Sequence, residues 1–402
     1  MNRKKITIVC ALLLGVTLGI FGADFGLALN AEPKYGSAVS PEGCSFTGTA
    51  TPWISGLVRT GLSYYVSGEI IIDYQDDKDT FPPVFTLGRT ELRWRPTSAV
   101  FLTLGRQRFQ DSTGLAVAGL FDGLSGSVAF PRVRLGAALF YTGLLYKEQA
   151  EILMTPNDGS NYAKALNYGD TDSYFASRRV VAALTGEFPD LSSRTSLALN
   201  AIAQFDVNEG AEKLHSQYLA GQYVFTPVEP LRLHLAFVAS LKETETQLQQ
   251  GYAAAAGADW ELPSLVQDMV SVQVRWSSGA VNEQVGTFTP VNGISQGEIF
   301  TPRLPALMTA HASYTVRVHQ TVSLGAGAAY FIRTDLETVA DADIDPASQS
   351  RSLGAEVSGS AVWAPDSALR LSAGGGVFLP GSAFVADTPV RWKIRAGVLF
   401  AF

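Results

Sequence analysis

The sequence predicts a transmembrane antiparallel β-barrel of about 16 strands, within a range of roughly 14 to 18, and three observations predict it. Apolar and polar residues alternate through most of the chain, so each strand has one face for lipid and one for a water-filled lumen. The chain is 47% hydrophobic and 17% charged, with a mean hydropathy of +0.13, which suits a fold that presents alternate residues to lipid. The last strand is apolar on one face up to Phe402.

The first element is a secretory signal peptide, predicted at residues 1–23. Basic residues at 3–5 precede an apolar run over 6–21, and the small residues at 22–23 suit cleavage. A signal anchor that stays attached is the alternative. Cleavage would leave Cys44 as the sole cysteine, so no disulfide is expected in the mature protein.

The barrel is expected to occupy residues 62–402, where the alternation is regular. In residues 24–61 the apolar–polar alternation is weak, and Gly, Ser and Pro interrupt it. An extra strand, a periplasmic tail and a small plug all fit this segment. The first regular strand begins at Leu62, and the strand at 99–109 changes parity near Gly105, as at a β-bulge. Fifteen further strands are expected at about 84–96, 99–109, 122–131, 132–146, 174–188, 194–207, 213–226, 231–243, 251–262, 266–277, 306–319, 321–336, 351–364, 368–380 and 389–402.

The connections between the predicted strands alternate in length. Short ones contain proline, as at Pro131 and Pro189, whereas long ones cover about 147–173, 278–305 and 337–350. If the short turns are periplasmic and the long loops external, both termini lie in the periplasm, as an even number of strands requires. The chain has no internal repeat of the kind that solenoids and propellers show, so we exclude both folds. The sequence thus predicts an outer-membrane protein surrounded by lipid.

Three stretches carry a resemblance to known proteins. Residues 104–111 read Leu-Gly-Arg-Gln-Arg-Phe-Gln-Asp, and residues 119–123 read Gly-Leu-Phe-Asp-Gly. They are similar to the Gly-Arg-Gln strand and the Phe-Asp-Gly segment of alginate-export-type and related outer-membrane porins, which implies a porin-type channel over nearly the whole mature chain. The final strand, with Phe400 and Phe402, resembles the C-terminal signature of bacterial outer-membrane proteins. That resemblance implies that the barrel assembly machinery reads these two residues as an assembly signal.

Strand parity places more basic than acidic residues inside the barrel, although the net charge of the chain is −7. A cationic lumen favours anions, although each of these charges could instead pair across strands and only hold the wall together. The densest basic patch is expected to be the selective ladder, and it comprises Arg89, Glu91, Arg93, Arg95, Arg106 and Arg108. The other inward bases are expected to be Arg134, Arg179, Arg232, Arg275, Arg317, Arg333, Arg370, Arg391, Lys393 and Arg395, against Glu69, Asp73, Glu187, Asp206, Asp259, Glu261 and Glu356.

Motifs for enzyme, cofactor or metal chemistry are weak. Residues 293–297 match the G-x-S-x-G string, but they fall in a long loop, whereas a nucleophile elbow needs a strand-to-helix turn. The four histidines are scattered without metal-ligand spacing, so we expect neither a metal nor a cofactor. Arginines inside a barrel are no indication of nucleic-acid binding.

The predicted function is a channel for passive diffusion of small hydrophilic solutes, with anionic or sugar-acid solutes as candidates. The alternative is a surface adhesin or binding protein, in which the long loops carry the function. A barrel hydrolase is a more distant alternative. The sequence leaves open the solute, the oligomeric state and the identity of the loop that narrows the pore.

Overall fold

A single antiparallel sheet of 18 strands closes on itself into a barrel in the computed structural model. The structure describes residues 23–39, 43–76, 81–209, 213–339 and 341–402. The all-β barrel class is confirmed, but the expected count of about 16 strands is corrected to 18. Both additional strands come from residues 24–61, the segment for which the sequence left three possibilities open. The predicted signal peptide falls, except for Ala23, outside the described residues.

The strands follow one another around the barrel in chain order, each paired with its neighbours. Their bounds are β1 Ala23–Gly36, β2 Gly43–Arg59, β3 Leu62–Gln75, β4 Val84–Trp94, β5 Val100–Gln110, β6 Ala118–Ala129, β7 Arg134–Tyr141, β8 Arg179–Ser192, β9 Thr195–Asp206, β10 His215–Val228, β11 Leu231–Glu243, β12 Leu248–Glu261, β13 Gln267–Ser277, β14 Leu307–His319, β15 Val322–Arg333, β16 Ser352–Trp363, β17 Leu369–Pro380 and β18 Arg391–Ala401. Three short helices lie between β7 and β8, namely α1 Lys147–Ala150, α2 Pro156–Ala163 and α3 Thr171–Tyr174. No helix in the described part of the chain is both long and apolar enough to cross a membrane.

The first and last strands close the barrel. The Leu27 N–H donates to the Phe402 carbonyl at 2.8 Å, and the Phe402 N–H donates back to the Leu27 carbonyl at 3.1 Å. The pairing continues from Ala28 opposite Ala401 to Tyr35 opposite Ile394. Closure satisfies the hydrogen-bonding groups of both edge strands, which a sheet in lipid requires.

The register assigns every strand residue to the lumen or to the outer surface, because directly opposed residues in an antiparallel pair point to the same side. Along β18, Lys393 and Arg395 point inward and Ile394 points outward, and Arg395 lies opposite Lys34 of β1. The outer face is apolar and open to its surroundings. Its exposed large side chains include Leu104, Leu135, Leu139, Leu184, Leu219, Leu235, Val357, Trp363 and Phe400. An apolar belt around a closed barrel suits lipid contact.

The two ends of the barrel differ in the length of their connections. The end that carries both Ala23 and Phe402 has short turns, such as 193–194 between β8 and β9. The opposite end carries the long connections at 142–178, 278–306 and 334–351. We call these the short-turn end and the long-loop end.

Candidate functional site

Two long connections fold from the long-loop end into the lumen. We call residues 278–306 the spanning loop and residues 142–178 the helical loop. Phe288 of the spanning loop is fully buried, with its ring centroid 6.3 Å from that of Tyr218 on β10. Phe300, further along the same loop, stacks on Phe378 of β17 with a centroid separation of 4.6 Å. Aromatic burial on both sides of the lumen holds the spanning loop across the barrel.

The two loops are joined to each other inside the barrel. The Asn292 side-chain amide donates to the Ala150 carbonyl at 2.7 Å, and the Gly293 N–H donates to the Glu151 carbonyl at 2.8 Å. The Asn292 side-chain oxygen also accepts from the Ala118 N–H at 3.3 Å. Because Asn292 is buried, these bonds are shielded from water and fix the two loops relative to each other.

Two attachments of the joined loops to the barrel wall lie on either side of β1 and β2. On one side, the Gln149 amide donates to the Glu69 carboxylate of β3 at 2.9 Å. On the other side, the Glu298 carboxylate accepts from the Arg395 guanidinium of β18 at 2.8 Å, and the Lys393 ammonium donates to the Glu298 carbonyl. No described hydrogen bond from either loop reaches the inner faces of β1 and β2 between these attachments. We call this uncovered part of the wall, together with the adjoining parts of β3 and β4, the free arc.

The free arc carries a row of planar side chains. The rings of Trp53 on β2 and Tyr65 on β3 are stacked, with centroids 6.1 Å apart and planes inclined by 12°. The Arg89 guanidinium lies 4.0 Å from the Tyr65 ring centroid. Gly26 lies opposite Trp53 on β1, and a Cβ there would come within 2.6 Å of the indole. Glycine at this position therefore makes room for the Trp53 ring on the inner wall.

A compact ionic cluster continues the free arc. The Glu91 carboxylate lies 3.0 Å from Arg89 Nε and 2.6 Å from an Arg93 nitrogen. The Glu91 side chain is only 4% exposed, whereas those of Arg89 and Arg93 are 37% and 45% exposed. The cluster thus places one buried negative charge behind two positive charges that face water. Arg95 follows in the turn after β4, with its N–H donating to the Gly61 carbonyl at 2.6 Å.

Two members of the predicted ladder lie on the other face of the wall. The pairing of β5 with β6 runs without a shift through Gly105, so the β-bulge expected there does not form. Arg106 and Arg108 consequently share the outer face with Leu104. The prediction that strand parity changes near Gly105 was therefore wrong, and neither Arg106 nor Arg108 lines the lumen.

Arg106 closes a gap in the barrel wall. The β4–β5 pairing begins only at Thr90, so the part of β4 before it has no ladder partner on β5. Arg106 is buried there, bound to both Asp122 oxygens at 2.8 and 2.9 Å, and it donates to the Leu87 and Leu144 carbonyls, each at 2.8 Å. The guanidinium replaces hydrogen bonds that a neighbouring strand would otherwise supply.

Other predicted inward bases hold loops rather than face the open passage. Arg179 is fully buried and lies 2.7 Å from Asp158 of α2 and 2.6 Å from Asp206. Arg333 donates to three loop carbonyls at 2.6 to 3.1 Å. Arg391 binds Asp341 and Asp343, with nitrogen-to-oxygen distances of 2.7 and 2.8 Å.

The remaining predicted bases lie on the inner face, mostly toward the short-turn end. Arg134 is exposed and paired with Glu187 at 3.1 Å. Arg275 donates to the side-chain oxygens of Gln273 and Gln296 at 2.8 and 3.1 Å. By register, Arg232, Arg317 and Arg370 point into the lumen near the short-turn mouth. The acids predicted inside, Glu69, Asp73, Glu91, Glu187, Asp206, Asp259, Glu261 and Glu356, also point inward.

Carboxylates at the long-loop end are held in their charged form. Burial alone would raise the pKa of Asp335, but donors from Thr338, Ala280 and Glu337 bring its pKa below the ordinary value of 3.8. Asp341 behaves in the same way, because burial is outweighed by the Arg391 guanidinium and the Asp343 N–H. Glu151 differs, since burial raises its pKa in spite of Arg303.

Sequence reasoning missed several residues that shape the passage. Trp53 lies in the segment whose structure was left open, and Gln149, Asn292 and Glu298 lie in loops that were treated only as connections. A buried asparagine followed by glycine has no periodicity that would single it out. The G-x-S-x-G string forms part of the spanning loop, where the Ser295 hydroxyl donates to the Gly297 carbonyl at 3.0 Å.

Comparison with solved structures finds similar barrels. The chain is similar to OpdK, an outer membrane protein of Pseudomonas aeruginosa, with a TM-score of 0.62 and 9% identity over 96% of this chain and 100% of that one. It is also similar to OccK2 (OpdF) of the same organism, with a TM-score of 0.61 and 11% identity over 94% and 97% of the two chains. For OprD of that organism the TM-score is 0.58 and the identity 11%, over 95% and 96%.

These similarities show the fold, a closed barrel of the porin type. They do not support the narrower resemblance to alginate-export channels. No protein-family model matches the chain, and no curated protein matches it either.

Proposed function

We propose that this protein is an outer-membrane channel for passive diffusion of small hydrophilic solutes, with a preference for anions. The free arc is the observation that carries the proposal, because the two inward loops attach to the wall on either side of it, and none of their described hydrogen bonds reaches the inner faces of β1 and β2. A passage narrowed by folded loops, with charged side chains on its open wall, is the arrangement that selective diffusion needs.

The charges along the passage favour anions. Arg89, Arg93 and Arg95 face the passage or its short-turn mouth, and the one acid among them, Glu91, lies behind them in the wall. Two unit charges 6 Å apart interact by about 0.7 kcal/mol in bulk water and by about 3 kcal/mol at an effective dielectric constant near 20. Attraction of that size concentrates anions in the passage without trapping them, and conduction requires such weak binding.

The stacked rings narrow the class of solute further. Trp53 and Tyr65 offer an apolar surface beside the guanidinium groups of Arg89 and Arg93. A ring-shaped solute that carries a carboxylate, such as a sugar acid, can place its C–H face against the aromatic rings and its charge against an arginine. This supports the candidate solutes that the sequence indicated.

The location follows from the same features. The outward apolar belt suits a membrane, and Ala23, the first described residue, lies with Phe402 at the short-turn end. We infer that this end faces the periplasm and that the barrel assembly machinery recognises the outward-facing Phe400 and Phe402. The long-loop end would then face the outside.

Single-channel recording tests the proposal directly. Purified protein added to a planar lipid bilayer should produce discrete, uniform current steps in potassium chloride. Variant Asn292→Ala, which removes the side-chain hydrogen bond between the two loops, should increase the step size or its fluctuation. A heat-modifiable, folded barrel that never conducts would refute the channel and favour a binding or adhesin role for the long loops.

A further inference from the structure

A chain of polar contacts crosses three adjacent strands, β11, β12 and β13, beneath the spanning loop. Arg275 Nε on β13 donates to the Gln273 side-chain oxygen at 2.8 Å. The Gln273 amide nitrogen lies 3.2 Å from Nε2 of His234 on β11, and Nδ1 of His234 lies 3.8 Å from the Asp259 carboxylate of β12. Asp259 also accepts from the Ser271 hydroxyl at 2.7 Å. These groups line a cavity of about 450 Å³ in the lumen.

The chain reaches the spanning loop through Arg275. Its Nη1 donates to the Gln296 side-chain oxygen at 3.1 Å, and the Gln296 amide donates to the Ile294 carbonyl at 2.9 Å. The Gln296 N–H donates in turn to the Pro302 carbonyl at 2.9 Å. A change in the hydrogen bonds of Gln273 therefore affects Arg275, whose guanidinium holds the spanning loop.

The direction of these bonds requires a neutral His234. Gln273 uses its oxygen for Arg275, which can only donate, so its nitrogen must donate to His234. Nε2 of His234 accepts that bond only when it carries no proton, and the ring proton then lies on Nδ1, toward Asp259. The ring packs over Gly257, where a Cβ would overlap Nε2, so its place against the wall is defined.

Protonation of His234 would break the chain. An Nε2–H facing the Gln273 nitrogen sets two donors against each other, which costs a hydrogen bond. Rotation of the Gln273 amide relieves that conflict, but it turns the amide nitrogen toward Arg275 Nε, which also can only donate. Arg275 is then left without one of its two acceptors, and the lumen gains one positive charge.

We propose that His234 is a proton-operated switch that sets the charge of the passage and the attachment of the spanning loop. The inference rests on the proposed channel function and assigns a regulation to it. While His234 is neutral, the chain is intact and the loop is held by Arg275. Once His234 takes up a proton it is cationic, Arg275 is released from Gln273, and anions are favoured more strongly.

The charged and titratable groups around His234 are the other possible sources of a pH-dependent change in anion preference. Asp259 faces the His234 ring from β12, and Gln273 connects that ring to Arg275 on β13 through hydrogen bonds. Arg232 lies two residues away on β11. His311 lines the same cavity from β14. Among the loop carboxylates described above, Asp335 and Asp341 have lowered pKa values and stay charged in mild acid, whereas Glu151, with its raised pKa, needs a control of its own.

The experiment records reversal potential under a potassium chloride gradient, together with open-channel noise, between about pH 8 and about pH 5. The wild type should show a sigmoidal rise in anion preference and in noise as the pH falls. His234→Gln should abolish both changes. Gln273→Met should keep the rise in preference and lose the rise in noise, because the charge still appears but the relay is cut.

Matched controls are the exposed His319→Gln, the cavity variant His311→Gln and the loop variant Glu151→Gln, each of which should retain the transition. A transition that survives in His234→Gln, or that disappears in any control instead, overturns the switch. A conducting wild type with no change over this range also overturns it, while leaving the channel intact. A protein that never conducts refutes the channel function itself. Heat-modifiable mobility of every variant shows that the barrel has folded.

Discussion

Individual arginines in this barrel differ in what they do, although strand parity treats them alike. Arg179 is fully buried between Asp158 and Asp206, whereas its neighbour Arg178 is exposed and lies 3.6 Å from an exposed Glu209. Parity from the sequence placed Arg179 correctly on the inner face. It could not show that a loop helix would supply Asp158, because that contact joins residues 21 positions apart through the fold.

This difference gives a prediction for two adjacent residues. Arg179→Gln leaves two carboxylates buried without their partner, a change that costs about 3 to 5 kcal/mol in comparable sites. We expect it to lower the temperature at which the folded band converts in heat-modifiability gels and to loosen the helical loop, seen as noisier current. Arg178→Gln should behave like the wild type, because exposed ion pairs contribute less than about 1 kcal/mol. Equal stability of the two variants would show that Arg179 does not anchor the loop.

The strands were largely predictable and the inward loops were not. Period-two alternation located sixteen strands, which correspond to β3 to β18, because lipid on one side and water on the other impose it. It failed for β1 and β2, where glycine, proline and small residues weaken the pattern. It also failed beyond Gly105, since a glycine without a bulge cannot be told from one with a bulge in the sequence. Loops such as 278–306 have no period, so their fold into the lumen left no signal.

The last strand gives a prediction about assembly. The Phe402 backbone completes the pairing with Leu27, and its side chain is exposed on the outer face beside Phe400, with ring centroids 5.3 Å apart. Replacing Phe402 by Asp, or deleting it, should reduce the amount of heat-modifiable barrel in the outer membrane. Phe402→Tyr, which keeps an aromatic ring, should assemble normally. Normal assembly of the Asp variant would show that Phe402 is not an assembly signal, and the barrel fold would be unaffected by that result.

At the scale of the whole molecule, the barrel has a long-loop end filled by loops and a short-turn end that carries Ala23 and Phe402. This asymmetry predicts a labelling pattern on intact cells. Epitope tags inserted beside Asp343 or Asp387 at the long-loop end should be reached by antibody, and tags beside the exposed Leu265 or Asp366 at the short-turn end should not. Permeabilised cells provide the control, because all four tags should then be reached. The reverse pattern on intact cells would invert the orientation and place the termini outside.

The central claim is that an arginine-lined free arc gives a conducting barrel its preference for anions, and the reversal potential of single channels under a salt gradient tests it most directly. We expect the wild type to favour chloride over potassium at low salt, and the preference to weaken as the screening length falls from about 10 Å at 0.1 M to about 3 Å at 1 M. Replacing Arg89, Arg93 and Arg95 together by Ser should reduce the preference, whereas Arg108→Ser, on the outer face, should leave it unchanged. A wild-type channel that favours cations would contradict the account.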